Sequence, residues 1–448
     1  MLRLFNSLSR QIEEFIPLVP GKVGMYSCGP TVYDFQHIGN LRTAIFSDIL
    51  RRVLMVNDFT IKLVRNITDI EDKIIKRASE LEITPKELTD KYTQIFFNDL
   101  NSLNILPADV SPKATEHIEA MIKYIEVLIK RDFAYENNGS IYFDISKFPD
   151  YGKLSQLDKR ELKTGTRTLS DEYEKENIQD FALWKSVGLD EFGFDSPWGK
   201  GRPGWHIECS VMSQQNLGDT FDIHTGGVDL LFPHHENEIA LSEAKTGQKF
   251  VNYFIHGEHL LIDGKKMAKS ASNFYTLKDL EEKTFEPLAF RYLVLTAHYR
   301  DKLNFTWESL GAAQNALNNL REIVRQWTMD NGQWTIENDL YQKFKEALNN
   351  DLNTPQALAV LWELVKSDLP DNEKAGIILE MDKVLGLGLA EYIGKPVDVP
   401  AEVMELVNQR EAARNNKDFE KSDEIRKQIN DLGFMIEDLE TGPKVKKK

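Results

Sequence analysis

The sequence predicts an α/β fold, in which a parallel sheet carries an insertion and is followed by an α-helical bundle. Three observations predict it. Two strand-like runs, KVGMYSC (Lys22 to Cys28) and FTIKLVRNIT (Phe59 to Thr68), flank a glycine turn and a helical stripe. Apolar patterning fades from about Leu154 to Gln179, then returns at DFALWK and at a further strand-like run, FDIHTGGVDLLF (Phe221 to Phe232). Beyond Thr306 the apolar residues recur at helical spacing.

The elements follow in order. In NLRTAIFSDILRRVLMV, Ile45, Ile49, Leu50 and Val53 form one stripe, so the first unit reads strand, turn, helix, strand. That unit opens a Rossmann-like nucleotide-binding sheet, whose ligands lie at the carboxyl ends of its strands. The polar stretch after Leu154 reads as a flexible insertion. PHHENEIALSEA follows Phe232 as a helix with Pro233 at its first position, where a missing N–H is tolerated. In the bundle, Leu310, Ala313, Leu317, Leu320 and Val324 line one face, and NTPQALAVLWELV opens on a capping Asn or Thr with Pro355 just inside. The last segment, roughly Pro400 to Lys448, places Ile425, Ile429 and Leu432 at helical spacing and ends in KVKKK, which reads as a disordered basic tail. No internal repeat is visible.

Composition bounds the function. At roughly 100 to 200 residues per domain, 448 residues imply two to four domains. With 41% hydrophobic and 28% charged residues and no apolar run near the ~20 residues of a membrane span, a soluble globular protein is expected. Met1 to Pro20 mixes Arg3, Arg10, Glu13 and Glu14 among its apolar residues, unlike a secretory signal, so a cytoplasmic location is expected. A net charge of −16 argues against a basic coat for nucleic acid but leaves room for a local basic face.

Four residues suggest a metal site if they meet in space: Cys28, Cys209, His234 and Glu238. His234 and Glu238 stack on one face of a helix, and thiolate with imidazole favours zinc over magnesium. Two buried thiols and a solvated helix face remain the alternatives. A zinc hydrolase is disfavoured because HExxH is absent, the helix reading His-His-Glu-Asn-Glu. His235 is expected to point elsewhere on that helix, as a structural or supporting group.

A second constellation points to phosphate. In HIGN (His37 to Asn40), Gly39 permits close approach to the backbone, and the helix start offers unpaired N–H groups. In KKMAKSASN (Lys265 to Asn273), Lys266 and Lys269 flank a short loop and suit the growing charge of a departing pyrophosphate.

HIGN and the distal KMAKS resemble the paired signatures of class I aminoacyl-tRNA synthetases. CGPTVYDFQHIGN, NITDIEDKII, DFALWK, SPWGKGRPGWHIECS, HTGGVDLLFPHHENE, LLIDGKKMAKSASN and DLNTPQAL resemble, in order, segments of the cysteinyl-tRNA synthetase family over nearly the whole chain. The resemblance implies one zinc per chain at Cys28, Cys209, His234 and Glu238. It implies activation of L-cysteine by ATP with Mg²⁺, giving cysteinyl-adenylate and pyrophosphate, then transfer to the 3′ end of tRNA(Cys). His37, Gly39, Asn40, Lys266 and Lys269 would serve ATP, and Thr68, Trp205 and Asp229 would wall the cysteine pocket, with Asp229 facing the ammonium. Zinc would select the thiolate over a serine hydroxyl, a discrimination of about 10⁴ needing roughly 5.5 kcal/mol. No editing segment is recognised.

The implied organisation is a Rossmann-like catalytic domain over 1–255 with a connective insertion at about 110–195, and a KMSKS-loop linking region over 256–305. A helical tRNA-binding bundle over 306–390 and a small anticodon-binding segment over 391–448 complete it. A monomer with no membrane partner is expected. Ala268 replaces the serine of KMSKS, and Ala271 with Ser272 replaces the usual Leu-Gly, so altered loop mobility with retained activity is expected. The alternatives are a related ligase passing cysteine to an amino-sugar, and a catalytically idle RNA-binding paralogue. The long helical extension and the intact ligands and lysines weigh against them.

Overall fold

The computed structural model describes residues 1–156, 180–267, 273–328, 338–396, 399–439 and 442–447. At its centre four parallel strands lie in the spatial order Val251–Gly257, Phe221–Gly227, Lys22–Ser27, Thr60–Arg65. Alternation along the strands sends Met25, Leu63, Ile223 and Ile255 into a cluster with Ile45, Ile49 and Val53 of the Ile38–Val56 helix. Tyr26, Val64 and Phe254 face the other way, against Ile207 and Val211 of the Trp205–Leu217 helix and Ile239 and Leu241 of the Glu236–Thr246 helix. Both faces are covered, as parallel sheets require.

From Lys22–Ser27 the chain crosses through the Ile38–Val56 helix to Thr60–Arg65, while Phe221–Gly227 pairs on the opposite side. The carboxyl ends of these two neighbours bound a crevice at a switch in strand order, where sheets of this type hold ligands. Just past the strand, the Cys28 N–H donates to the Thr225 carbonyl at 3.3 Å.

In chain order between Thr60–Arg65 and Phe221–Gly227 comes an antiparallel sheet of Ala134–Asn137, Ser140–Phe143, Phe181–Ser186 and Gly201–Pro203. Most of the polar stretch, residues 157–179, lies outside the described residues. A smaller sheet sets Leu260–Ile262 between Lys265–Lys266 and Leu303–Phe305.

The run from Phe221 to Phe232 is strand only as far as Gly227. Beyond it the backbone turns: Asp229 folds back so closely that a Cβ on Gly227 would meet its Oδ1 at 2.4 Å. Pro233, without an N–H, cannot extend a ladder. Nor does Pro233 open the α-helix, which starts at Glu236; it sits in a wide turn, Leu231–His235, where Phe232 is extended (φ −138°, ψ 133°).

The Trp307–Val324 helix buries Leu310, Ala313, Leu317, Leu320 and Val324, and the Asn353 side chain caps Thr354–Lys366 by accepting from the Gln356 N–H at 3.1 Å. At the C-terminal end, Ala401–Asn415 and Phe419–Asp431 pack with a hairpin, Phe434–Leu439 against Gly442–Lys447. Ile425 and Ile429 are buried there, but the helix stops at Asp431 and leaves Leu432 43% exposed. The basic tail is not a loose end: Val445 to Lys447 pair with Phe434 to Ile436. Among the described residues no helix is long and apolar enough to cross a membrane.

Candidate metal centre and adjoining cavities

Cys28 leaves the Lys22–Ser27 strand at the crevice, and Cys209 lies one helical turn into Trp205–Leu217, whose start presses on the neighbouring antiparallel sheet. That close approach needs Gly204, where a Cβ would lie 2.0 Å from the Ala182 carbonyl oxygen. His234 is the penultimate residue of the wide turn and Glu238 sits in the first turn of the following helix. Trp205 stacks on the His234 ring at 4.1 Å and 26°, and His206 Nδ1 meets His234 Nδ1 at 2.9 Å. His234 Nε2 is thereby turned inward.

The structure brings all four sequence-predicted ligands together. One donor atom from each of Cys28, Cys209, His234 and Glu238 lies within 4.8 Å of every other, and together they could hold a metal ion. Cys28 Sγ and Cys209 Sγ are 4.0 Å apart. Two sulfurs on a tetrahedral zinc at about 2.3 Å would be separated by ~3.8 Å. His234 Nε2 lies 3.0 Å from Glu238 Oε1, yet it is buried and makes no hydrogen bond. The four donors converge on a common point and leave the His234 nitrogen without a hydrogen bond, which suits a cation.

The electrostatics agree. Burial works against the Glu238 carboxylate, but the imidazoles of His224 and His234 hold it at about 2. Burial likewise works against His234⁺, and Glu238 with Cys209 pushes it up to about 10. The Cys209 thiol falls to about 6, first through its hydrogen bond with Cys28, while burial and the Cys209 sulfur push Cys28 up. The two thiols are thus shifted in opposite directions, Cys209 down and Cys28 up.

Sequence reasoning missed His224 and misplaced His235. His224 Nε2 is 2.9 Å from Glu238 Oε2, and His235 Nε2 is 3.4 Å from Cys28 Sγ. His235 does not point away, because the wide turn that ends at His235 lets successive side chains face one chamber. Its Nδ1 meets His256 Nε2 at 2.7 Å, and His256 Nδ1 meets Ser7 Oγ at 2.8 Å. Burial holds His206 and His235 well below the usual range and His256 at about 3. The available signal was a histidine inside each of two strand runs, FDIHTGG and VNYFIHG.

Cys28 and Trp205 wall a cavity of about 340 Å³ that extends past Asp229 to His37 and Asn40. A second cavity of about 140 Å³ shares Asp229, His37 and Asn40 and continues to Gly39, Met267 and Lys266. Thr68 lines neither. It is buried behind the wall, its Oγ1 donating to Glu208 Oε2 at 3.2 Å and its backbone tied to Pro30 and Val32. Burial, with the Cys209 sulfur near, pushes the Glu208 carboxyl well above the usual range.

The helix start is less open than its sequence suggests. His37 caps it, Nδ1 accepting from the Asn40 N–H at 3.2 Å, and the Ile38 N–H donates to the Tyr275 carbonyl. A Cβ on Gly39 would lie 2.6 Å from Met267 Cε, so glycine admits that side chain between the two signatures. Asn40 Nδ2 donates to Gln36 Oε1 at 2.8 Å. Lys266 is exposed beside the smaller cavity, whereas Lys269, Ala268, Ala271 and Ser272 lie outside the described residues.

Comparison with known proteins adds the following. Residues 14–315 match the family described as tRNA synthetases class I (C) catalytic domain. Residues 343–367 match the DALR domain and 397–442 the cysteinyl-tRNA ligase anticodon binding domain. The chain is 45% identical to a cysteine–tRNA ligase of Brachyspira hyodysenteriae over 99% of each chain. It is 44% identical to one of Chlamydia felis over 100% of this chain and 98% of that one. In fold it is similar to a Mycobacterium tuberculosis methionyl-tRNA synthetase solved with methionyl-adenylate, at TM-score 0.59 and 12% identity over 83% of this chain and 91% of that one.

Proposed function

The chain belongs to the cysteine–tRNA ligase family of class I tRNA synthetases, and on that premise we propose how its residues activate cysteine and pass it to tRNA. One observation carries the reading. Cys28 of the Cys28, Cys209, His234, Glu238 cluster lines a cavity that shares Asp229, His37 and Asn40 with the pocket beside Lys266. An amino acid held by its sulfur at one end therefore reaches nucleotide at the other.

The donor set, two sulfurs with one imidazole and one carboxylate, fits zinc. Zinc bound there would supply a soft Lewis acid for the substrate thiolate, which a serine hydroxyl matches poorly. The remaining work belongs to the chain. Trp205 and His206 fix the His234 ring, and Thr68 holds the Pro30 to Val32 loop from behind. Asp229 receives the substrate ammonium at the junction of the two cavities. The substrate carboxylate is then free to attack the ATP α-phosphorus in line, with Mg²⁺ accompanying the nucleotide, and no protein nucleophile is needed. His37 and Asn40 position phosphates, while Lys266 and Lys269 stabilise the pyrophosphate as it leaves. The ribose hydroxyl at the tRNA 3′ end takes the cysteinyl group.

The match of 397–442 to an anticodon binding domain supports tRNA over an amino-sugar as acceptor. The test is ATP-dependent transfer of labelled cysteine to unfractionated tRNA, with labelled serine as control. Charging with cysteine and not serine is expected. Cysteine-dependent pyrophosphate exchange without charging would overturn the acceptor, and silence in both assays would overturn the activity.

A further inference from the structure

We infer that Arg42 is a positioning residue for the nucleotide, a clamp that sets the spacing between two walls of the pocket beside Lys266. The inference rests on reading that pocket as the ATP site.

The helix start, at Asn40 and Thr43, forms one wall of this cavity, and the segment linking Val251–Gly257 to Leu260–Ile262 forms another, at Glu258 and His259. Glu258 and His259 fall between the two strands. Their carbonyls accept from a single atom, Arg42 Nη1, which donates to Glu258 at 2.7 Å and to His259 at 2.6 Å. Arg42 Nη2 donates instead to the carbonyls of Asp301 at 2.5 Å and His298 at 3.4 Å. The residue is buried, so loosening it would leave these acceptors short of donors away from water. A guanidinium suits the task because its donors form a rigid planar fork, whereas lysine offers one nitrogen on a flexible stem.

The turn held by Nη2 is itself fixed from the bundle. Asp351, between the Asp339–Asn349 and Thr354–Lys366 helices, accepts from Tyr299 Oη at 2.6 Å and Arg300 Nε at 2.7 Å, and its carbonyl meets His298 Nε2 at 2.8 Å. Asp351 and Leu352 both have positive φ, 58° and 56°. Such a conformation is costly for residues with side chains and persists where the surroundings fix it. The Tyr299 carbonyl in turn accepts from the Glu258 N–H at 2.8 Å. Arg42 therefore ties the helix start to the pocket wall and to a turn the bundle holds, while none of these bonds goes to the metal cluster.

Arg42→Lys keeps a cation on the helix and loses the fork. The variant and the unaltered full chain, both as purified, are compared by cysteine-dependent pyrophosphate exchange, calorimetric titration with ATP, and zinc content. The ATP KM and dissociation constant should rise about tenfold, because a slightly displaced wall misplaces the phosphates. At saturating ATP, kcat should stay within about twofold of the unaltered value. The cysteine KM and the zinc content should not change. Tyr299→Phe keeps its ring stacked on Phe46 at 4.7 Å and loses the bond to Asp351. Its ATP KM should rise roughly threefold. A merely structural role predicts a lower melting temperature with both KM values intact; that result, or an equal rise of both, overturns the proposal. Should Arg42→Lys fail to fold, Tyr299→Phe decides, and an unchanged ATP KM there overturns it. ATP binding without cysteine-dependent exchange in the unaltered chain would overturn the proposed function, and the calorimetric comparison would still decide the role of Arg42.

Discussion

In the proposed function Asp229 receives the substrate ammonium; it borders both cavities, and its Oδ1 lies 2.4 Å from where a Cβ on Gly227 would stand. A hydrogen bond between charged groups contributes about 1.5 to 3 kcal/mol, so Asp229→Asn should raise the KM for cysteine roughly 10- to 100-fold. Zinc content, measured by atomic absorption, should be unchanged. An unaltered KM would remove Asp229 from the pocket. At this scale part of the site was legible in the sequence: ligand chemistry suggested Cys28, Cys209, His234 and Glu238, with buried thiols left as an alternative, and the family resemblance chose between them. Thr68 was not legible as a supporting residue, because its distance from the cavity depends on how the Pro30 to Val32 loop folds over it. His224 was hidden for a related reason. Its strand is buried throughout, and a strand pattern alone does not say which polar side chain meets a carboxylate 14 positions later.

Elements carry the next set of constraints. The Ile38–Val56 helix, which His37 caps, is anchored by Asp48, which accepts from Arg52 Nε at 2.8 Å and from Arg291 at 2.7 Å, with Asp48 and Arg291 fully buried. Arg291 also donates to the carbonyls of Leu385 and Leu103, so one guanidinium joins the helix to the end of the Asp371–Leu385 helix. Asp48→Asn leaves these cations underpaired and should cost about 3 to 5 kcal/mol in urea unfolding. A loss under 1 kcal/mol would show that the remaining carbonyls suffice. Helical stripes were legible because burial repeats along them; the Asp48 cluster was not, since its partner lies 243 positions away. A second prediction concerns the Pro85–Ser102 helix. Burial, with help from Glu281, pushes Asp99 up to about 7. The folded chain then binds more protons than the unfolded one between about pH 4 and about pH 7, so stability falls as pH rises through that window. Asp99→Asn should flatten the dependence of the urea midpoint on pH there and raise the midpoint at pH 8. An unchanged slope would place the titration elsewhere.

Over the whole molecule, the C-terminal unit stands apart energetically. Val403, Val407, Ile425, Ile429, Phe434 and Ile436 form their own small core, separate from the two clusters that flank the parallel sheet. The expectation of a disordered KVKKK tail failed because the run from Gly442 to Lys447 pairs with Phe434–Leu439 and completes a hairpin. Deleting Val445 to Lys448 would therefore remove three of the six paired positions of that hairpin and blur any readout of charge. A cleaner division falls at Pro396, where Arg325 donates to the Lys395 and Pro396 carbonyls at 2.9 and 3.1 Å and closes the preceding bundle. A chain ending there keeps both large cores, the metal cluster and both cavities. It should fold, retain its zinc and sustain cysteine-dependent pyrophosphate exchange at close to the full rate. Charging of tRNA should fall at least tenfold, because the residues that match an anticodon binding domain are gone. Undiminished charging would assign tRNA recognition to the bundle and catalytic domain alone, and loss of pyrophosphate exchange would mean that the terminal unit supports the active site through the fold.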